Sequence, residues 1–135
     1  YIQSIPNYVD SCNLFVALVP SAAHTDAGSQ CNMHTWLTRG WCRTELWCHV
    51  LSTRSTPIIV VKTREMAEFR APLWHRYPVQ SGIFAFENDC QSCCKIIQKA
   101  FDQHLPKLRH GKSMTTYRLH LALCEDMTGL AKKQR

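Results

Sequence analysis

The alternation of apolar runs and polar stretches predicts strands and helices in the first half of the chain. Residues 14–19 form an uninterrupted apolar run that Pro20 ends, and a second run of strand length covers residues 56–62. Short apolar runs rich in β-branched residues are typical of strands buried on both faces in a parallel sheet. Residues 40–51 between them predict a helix of about three turns. Strand, helix and strand form a βαβ unit, which predicts a parallel strand pair with a right-handed crossover.

Weaker patterns lie on either side of this unit. Residues 4–10 predict a helix, with a proline tolerated in its first turn. The polar stretch 21–39 predicts a long loop, and loops of this length inside compact domains are usually functional or mobile. Residues 64–88 predict irregular packing over the sheet edge, with one helical turn at 65–69 and a short strand at 83–86.

The last third of the chain predicts two helices. Asp89 is the expected N-cap of a helix that runs to His104, and Pro106 ends it. One stripe of this helix holds its apolar residues, which are Cys94, Ile97, Phe101 and Leu105. Ser113 is the expected cap of a last helix, which Gly129 ends. The apolar positions of that helix include Tyr117, Leu121 and Cys124.

Length and composition indicate a packed domain or a piece of one. The chain has 135 residues, of which 45% are hydrophobic and 19% are charged, and this composition excludes general disorder. It opens with Tyr1 and shows no signal segment, so we expect an excerpt of a cytoplasmic protein. No apolar run reaches the roughly 18 residues of a membrane-spanning helix. The expected organisation is an α/β core over 1–63, an irregular connection over 64–89 and a basic helical segment over 90–135.

The excess positive charge lies in the last third of the sequence. The net charge is +6, yet residues 1–94 carry seven basic and seven acidic side chains, whereas residues 95–135 carry nine and three. A basic tail can attract phosphates or anionic lipid, although a solvated helical face is the commoner origin of such a run. The aromatic residues do not interleave with the basic ones, so we do not expect nucleic-acid binding.

Eight cysteines raise the alternatives of disulfides and a metal site. Only Cys90, Cys93 and Cys94 cluster, and a structural zinc site needs a second pair. The best available partners are Cys31 and His34, which lie 56 or more positions upstream. We therefore expect no metal, with Cys94 pointing into the core, and keep zinc as the less favoured alternative. Without a secretion signal, reduced thiols are expected.

Glu45 is the only acid in the predicted helix 40–51. The circumference of this helix is almost wholly apolar, and Glu45 shares a narrow polar sector with His49. Apolar surroundings raise the pKa of a carboxyl group, which suits acid–base chemistry or a contact with a ribose hydroxyl. The alternative is a surface glutamate that pairs with Arg39, Arg43 or His49, and composition alone favours it.

Other catalytic patterns are weak. The histidines do not form a His-x-x-x-His pair, and no glycine-rich phosphate loop is present. Cys48 beside His49 suggests a thiol nucleophile, but side chains at adjacent helix positions point about 100° apart.

Several phrases of the sequence carry a family resemblance. In order they are Ser4-Ile5-Pro6-x-Tyr8-Val9-x-x-Cys12, the apolar strand, the polar loop, Trp41-Cys42-Arg43-x-Glu45-Leu46 and Pro57-Ile58-Ile59-Val60. In this arrangement, residues 2–62 resemble the middle of a TIR (Toll/interleukin receptor) domain, of the protist and algal type with an extended loop. The resemblance implies a flavodoxin-like parallel sheet that is incomplete at its N-terminus, followed by a helical segment. Residues 64–135 match no segment of the family.

The resemblance implies two classes of function. In enzymatic TIR domains, the glutamate of this helix contacts the ribose of NAD and is needed to cleave the nicotinamide bond. Glu45 alone carries over with that role, and it is the only acid between Asp26 and Glu65. Many other TIR domains act as homotypic interaction modules. We therefore expect an intracellular signalling module with protein partners or self-association. The alternative is an NAD glycohydrolase with NAD as substrate, no bound cofactor, and cofactor-binding residues unknown.

Overall fold

The computed structural model describes residues 2–53, 56–70, 77–110 and 114–128 as a mixed α/β structure. Its helices are α1 (Ile5–Ser11), α2 (Met33–Thr38), α3 (Gly40–Val50), α4 (Glu87–His110) and α5 (Met114–Thr128). Its strands are β1 (Val16–Leu18), β2 (Ala22–Ala23), β3 (Gln30–Cys31), β4 (Ile58–Val61) and β5 (Ala67–Arg70). None of the helices in these ranges is long and apolar enough to cross a membrane.

The main sheet has the strand order β1-β4-β5 and is mixed. Strands β1 and β4 pair in parallel, which confirms that part of the βαβ prediction. Strand β5 pairs antiparallel with β4, so the helical turn predicted at 65–69 is wrong. The amide of Lys62 donates to the carbonyl of Met66 at 3.0 Å and closes a tight reversal. Pairing with β4 along this reversal satisfies backbone groups that one isolated helical turn would leave unpaired.

One face of the main sheet packs against α2 and α3. Its core contains Ala17, Val19, Ile58 and Val60 from the strands and Leu46 from α3. The predicted burial of both strand faces is wrong for β1, because Leu14, Val16 and Leu18 are exposed. Alternation of side chains along a strand places these residues on the opposite face, and the described helices do not cover it.

A second core lies between α3, α4 and α5. The rings of Trp47 and Phe101 pack with centroids 5.5 Å apart, and Cys93, Cys94 and Ile97 are buried around them. The predicted inward orientation of Cys94 with Ile97 and Phe101 is confirmed. Since Trp47 faces this core while the neighbouring Leu46 faces the sheet, α3 is buried on both sides, as its apolar circumference predicts.

The predicted boundaries of α4 are wrong at both ends. The helix begins at Glu87 and continues through Pro106 to His110. The carboxylate of Asp89 accepts a hydrogen bond from the indole of Trp41 at 3.0 Å. Proline removes one hydrogen bond from a helix, but the last turns of α4 pack against α5, where the ring of His104 stacks on His120. Tertiary packing therefore carries the helix past its proline.

The predicted long loop contains regular structure. Strands β2 and β3 form an antiparallel hairpin, and α2 follows it. Asn32 caps α2 by accepting from the amides of His34 and Thr35, while the hydroxyl of Thr35 accepts from the amide of Asn32. Gly28 has a φ of 62°, a conformation that favours glycine in the hairpin turn.

Two further predictions differ from the structure. Residues 83–86 form no strand, and only Ile83 makes a single bridge with Arg39. On α5, Tyr117 is half-buried and Cys124 is buried, but Leu121 is exposed while His120 is buried. Packing on α4 selects that face of α5. The expected caps Ser113 and Gly129 lie outside the described residues, and the division of the chain at 63 and 89 stays a prediction.

Gly40 lets the start of α3 approach the ring of Phe84. A Cβ atom at this position would collide with the end of that ring. We expect Gly40→Ala to lower the free energy of unfolding by about 1–3 kcal/mol, the usual cost of overpacking, although alanine is the better helix former. Thermal unfolding measures the change. Gly40→Ala combined with Phe84→Ala should recover part of the loss relative to Phe84→Ala alone, and a wild-type melting temperature in Gly40→Ala would contradict the close contact.

The stacked pair of His104 and His120 makes folding sensitive to acid. Burial lowers the pKa of both imidazoles from 6.5, and the charge of Lys107 lowers that of His104 further. A lowered pKa in the folded state means that the unfolded chain binds more protons. The stabilisation is therefore complete above pH 6.5 and is lost as the pH falls towards the lowered values.

Thermal unfolding from neutral to mildly acidic pH tests this expectation. The melting temperature should fall with pH, and His120→Gln should flatten the slope because only one imidazole then resists protonation. The control is His34→Gln, at an exposed histidine, which should keep the wild-type slope. Equal slopes for wild type and His120→Gln would contradict the role of the pair.

Candidate functional site

The first turns of α3 hold the sequence-predicted acid. The side chain of Glu45 is exposed, yet partial desolvation raises the pKa of its carboxyl, and the positive charge of Arg39 opposes this rise. The predicted direction of the pKa shift is confirmed. The pKa of the Cys42 thiol is raised, and burial is the largest cause. The positive charge of Arg39 lowers this pKa and the negative charge of Glu45 raises it.

Two of the three partners proposed for a structural role of Glu45, Arg43 and His49, bind carbonyl groups of other segments, and the third, Arg39, acts on Glu45 through its charge. The guanidinium of Arg43 donates to the carbonyls of Leu37 at 2.6 Å and Pro78 at 2.8 Å, and ties α3 to the segment before α4. Within the described ranges, no cation lies at ion-pair distance from Glu45. The carboxylate of Glu45 is therefore exposed and is not held in an ion pair with a described residue.

His49 does not share a polar sector with Glu45. The imidazole of His49 is buried, its Nε2 donates to the carbonyl of Thr56 at 2.8 Å, and its ring lies 5.0 Å from the ring of Phe15. A buried imidazole in these contacts supports the connection between α3 and β4. It does not assist Glu45.

The buried thiols are poor nucleophiles. Burial raises the pKa of Cys48 to about 12, that of Cys93 to about 11 and that of Cys94 to about 12, so these thiols stay protonated at neutral pH. All eight cysteines are free. In the part of the chain that the structure describes, no three His, Cys, Asp or Glu residues are placed to hold a metal ion.

A cavity of about 520 Å³ opens at the carboxyl end of β1. The hairpin of β2 and β3 forms one wall, α2 forms another, and Arg39 lies where α2 meets α3. Its lining includes Leu18, Pro20, Ala22, His24, Ser29, Trp36 and Arg39. Glu45 is not among the lining residues. Arg39 lines the cavity, and its positive charge also lowers the pKa of Glu45.

The sequence reasoning missed His24, Trp36 and Arg39 as candidate binding residues. A usable signal was present, because ligands of α/β proteins bind outside the carboxyl ends of the parallel strands. The polar stretch 21–39 follows directly on such a strand. The side chains surround one cavity only because this stretch folds into a hairpin and a capped helix.

No protein-family model, no curated protein and no solved structure matches this chain. Three features of the structure bear on its function. They are the uncovered face of the main sheet, the accessible carboxyl of Glu45 and the cavity beside Arg39.

Proposed function

We propose that this chain is a TIR-like protein-interaction module, with a flavodoxin-like core, that associates with a second copy of itself through the uncovered face of its main sheet. The observation that carries this proposal is a pair of apolar rows across the three strands. One row is Val16, Ile59 and Phe69, and the other is Leu18, Val61 and Ala67. We call these six residues the open sheet face.

The open sheet face has the properties of an interaction surface. Leu18 and Phe69 expose 70% and 76% of their surface, and Val16 is also exposed. Contiguous exposed apolar surface marks sites of protein association, and aromatic residues are among those that contribute most to the binding energy of such surfaces. Strand β1 pairs only with β4 among the described strands, so its outer edge is also available for pairing.

Charge favours a second copy as the occupant. The ion pairs of the sheet join Glu68 to Lys62 and to Arg70, each at 2.8 Å. Strand alternation places these three residues on the side opposite Phe69. The six residues of the open sheet face are uncharged, while Lys62 and Arg64 border it beside Leu18 and Val61. Two copies that pack with these borders apart meet without like-charge repulsion. The free state of all eight cysteines supports a reducing, cytoplasmic setting for this module.

The self-association proposal predicts that the isolated chain of 135 residues is oligomeric or poorly soluble. Phe69→Lys should weaken association by about 30-fold, corresponding to about 2 kcal/mol for a hot-spot aromatic. Sedimentation velocity over a range of concentrations measures it. The matched control is Phe86→Lys, because Phe86 is 72% exposed but lies outside the sheet.

Three outcomes separate the possible results. Loss of association in Phe69→Lys but not in Phe86→Lys supports the proposal. A monomeric wild type with a cooperative melt contradicts both self-association and the expected poor solubility. Equal effects of both lysine substitutions would show that association reflects general hydrophobicity.

We propose NAD cleavage as the second candidate function, because Glu45 combines a raised carboxyl pKa with an exposed position in the first turns of α3. In this reaction the bond between the ribose and nicotinamide breaks with its electron pair leaving on nicotinamide. Water then adds to the sugar and releases a proton. A carboxylate beside the ribose stabilises the oxocarbenium-like transition state or orients the sugar hydroxyls.

The NAD proposal predicts that Glu45→Ala and Glu45→Gln both abolish nicotinamide release. The side-chain amide of glutamine has nearly the shape of the carboxylate but no charge. Glu45→Gln therefore tests the charge itself. The matched control is Glu65→Gln, an exposed acid in the reversal between β4 and β5, which should retain full activity. Chromatography of the products, with protein at concentrations that promote assembly, measures release.

The result assigns the function. Activity that survives both Glu45 substitutions refutes the role of Glu45. No release by any protein, wild type included, removes the enzymatic candidate and leaves the interaction module. Circular dichroism checks that each variant folds. We expect each one to fold, because an exposed side chain contributes little to core packing.

A further inference from the structure

We infer that the cavity at the carboxyl end of β1 binds a small organic anion with an apolar body, through the guanidinium of Arg39. This cavity shares Leu18 with the open sheet face but does not include Glu45, and anion binding there goes beyond the proposed function. It is carried by the charge of the lining, by the donors that the local structure leaves available, and by the apolar wall opposite them.

The electrostatics of the lining favour an anion. Arg39 is exposed and makes no side-chain hydrogen bond or ion pair with any described residue, whereas Arg43 one turn later has three such bonds. Among the residues that the structure describes, no Asp or Glu lines the cavity. An unpaired guanidinium offers a planar fork of donors that matches the two oxygens of a carboxylate or a phosphate.

His24 supplies a second donor. Its Nδ1 accepts from the amides of Asp26 and Ala27, both at 3.3 Å. The neutral imidazole consequently carries its proton on Nε2, because one ring nitrogen accepts while the other donates. The hairpin turn that holds His24 is itself fixed, since the amide of His24 donates to the carbonyl of Ser29 at 2.8 Å.

Other polar residues of the lining are committed to the fold. The side chains of Asn32 and Thr35 form the capping box of α2, and the amide of Gln30 donates to the hydroxyl of Ser21 at 2.8 Å. Arg39 and His24 therefore remain as nitrogen donors for a ligand, and the hydroxyl of Ser29 belongs to the same lining.

The remaining lining requires an apolar body on the ligand. Leu18, Pro20 and Ala22 line the cavity together with the ring of Trp36. Trp36 is held in place by an edge-on contact with Phe15 at 6.4 Å. A volume of about 520 Å³ lies within the usual range of small-molecule sites, and it accommodates one ring with an anionic substituent.

A neighbouring cavity with a cationic lining lies beside this one and provides a control for the inference. It has a volume of about 280 Å³, shares Leu18 and Pro20 with the larger one, and is lined on its far side by Lys62 and Arg64. Its described lining contains no acidic residue either. Lys62 is paired with Glu68 at 2.8 Å, so Arg64 is the residue of this lining that serves as the charge-matched control for Arg39.

Equilibrium binding to the full chain, followed by tryptophan fluorescence at low protein concentration, tests the inference. The probes are phenyl phosphate and benzoate, with inorganic phosphate and benzyl alcohol as partial ligands. We expect saturable binding of at least one aromatic anion, about tenfold tighter than either partial ligand, because a charge-assisted bidentate contact and ring burial act together. The comparison of phenyl phosphate with benzoate identifies the preferred anionic group.

Variants locate the site. Arg39→Gln should weaken binding of the aromatic anion about tenfold, with Arg39→Lys intermediate because lysine keeps the charge but loses the fork. The matched control is Arg64→Gln, which removes the same charge from the neighbouring cavity and should leave affinity unchanged. Trp36→Phe should remove the fluorescence change, and Glu45→Ala should not weaken binding.

Three results would overturn the inference. Equal losses in Arg39→Gln and Arg64→Gln would mean that the anion is attracted by net charge alone. Binding of benzyl alcohol as tightly as the anions would exclude the role of Arg39. Absence of saturable binding by both aromatic anions would show that the cavity is not an anion site. Because the Phe69 variants test self-association by sedimentation, failure there and failure here are independent.

Discussion

The burial of α3 on both sides is the constraint on which the rest of this structure depends. Leu46 packs into the core below the main sheet and Trp47 into the core shared with α4 and α5. Neighbouring positions on a helix point about 100° apart, so one short helix can join both cores only if nearly its whole circumference is apolar. Burial on this scale is the dominant favourable term in folding.

The position of α3 also determines what its polar residues can do. Arg43 and His49 turn to the carbonyls of neighbouring segments, because buried polar groups need partners. Glu45 points away from both cores and remains exposed. Arg39, at the junction of α2 and α3, lies between Glu45 and the cavity and influences the pKa of the acid. Structural contacts thus engage Arg43, His49 and also Thr44, whose hydroxyl donates to the carbonyl of Gly40.

The described helices cover one face of the main sheet and leave the other exposed. The proposed association involves the exposed face. Helices α2 and α3 cover the face that contains Ala17 and Val60, and the open sheet face presents apolar rows to solvent. A sheet in a two-layer arrangement gains from having a second apolar surface against it. In the proposed association, the surface of a second copy would meet the same physical requirement that a second helix layer meets in other folds.

The sequence by itself determined the elements whose signals are local and strong. The apolar run before Pro20, the amphipathic stripe of α4 and the almost wholly apolar α3 each predicted an element of the correct type, because side-chain periodicity reflects burial directly. The raised pKa of Glu45 was also predictable, since desolvation follows from apolar neighbours on its own helix.

Only the tertiary structure decided the features that depend on contacts between distant segments. Strand β5 forms because β4 offers it hydrogen bonds, and α4 continues through Pro106 because α5 packs against its end. His49 turns inward because Thr56 and Phe15 meet it there. The cavity beside Arg39 exists because a hairpin and a helix fold over the end of β1. Local propensity is worth tenths of a kcal/mol per residue, and packing between segments outweighs it wherever the two disagree.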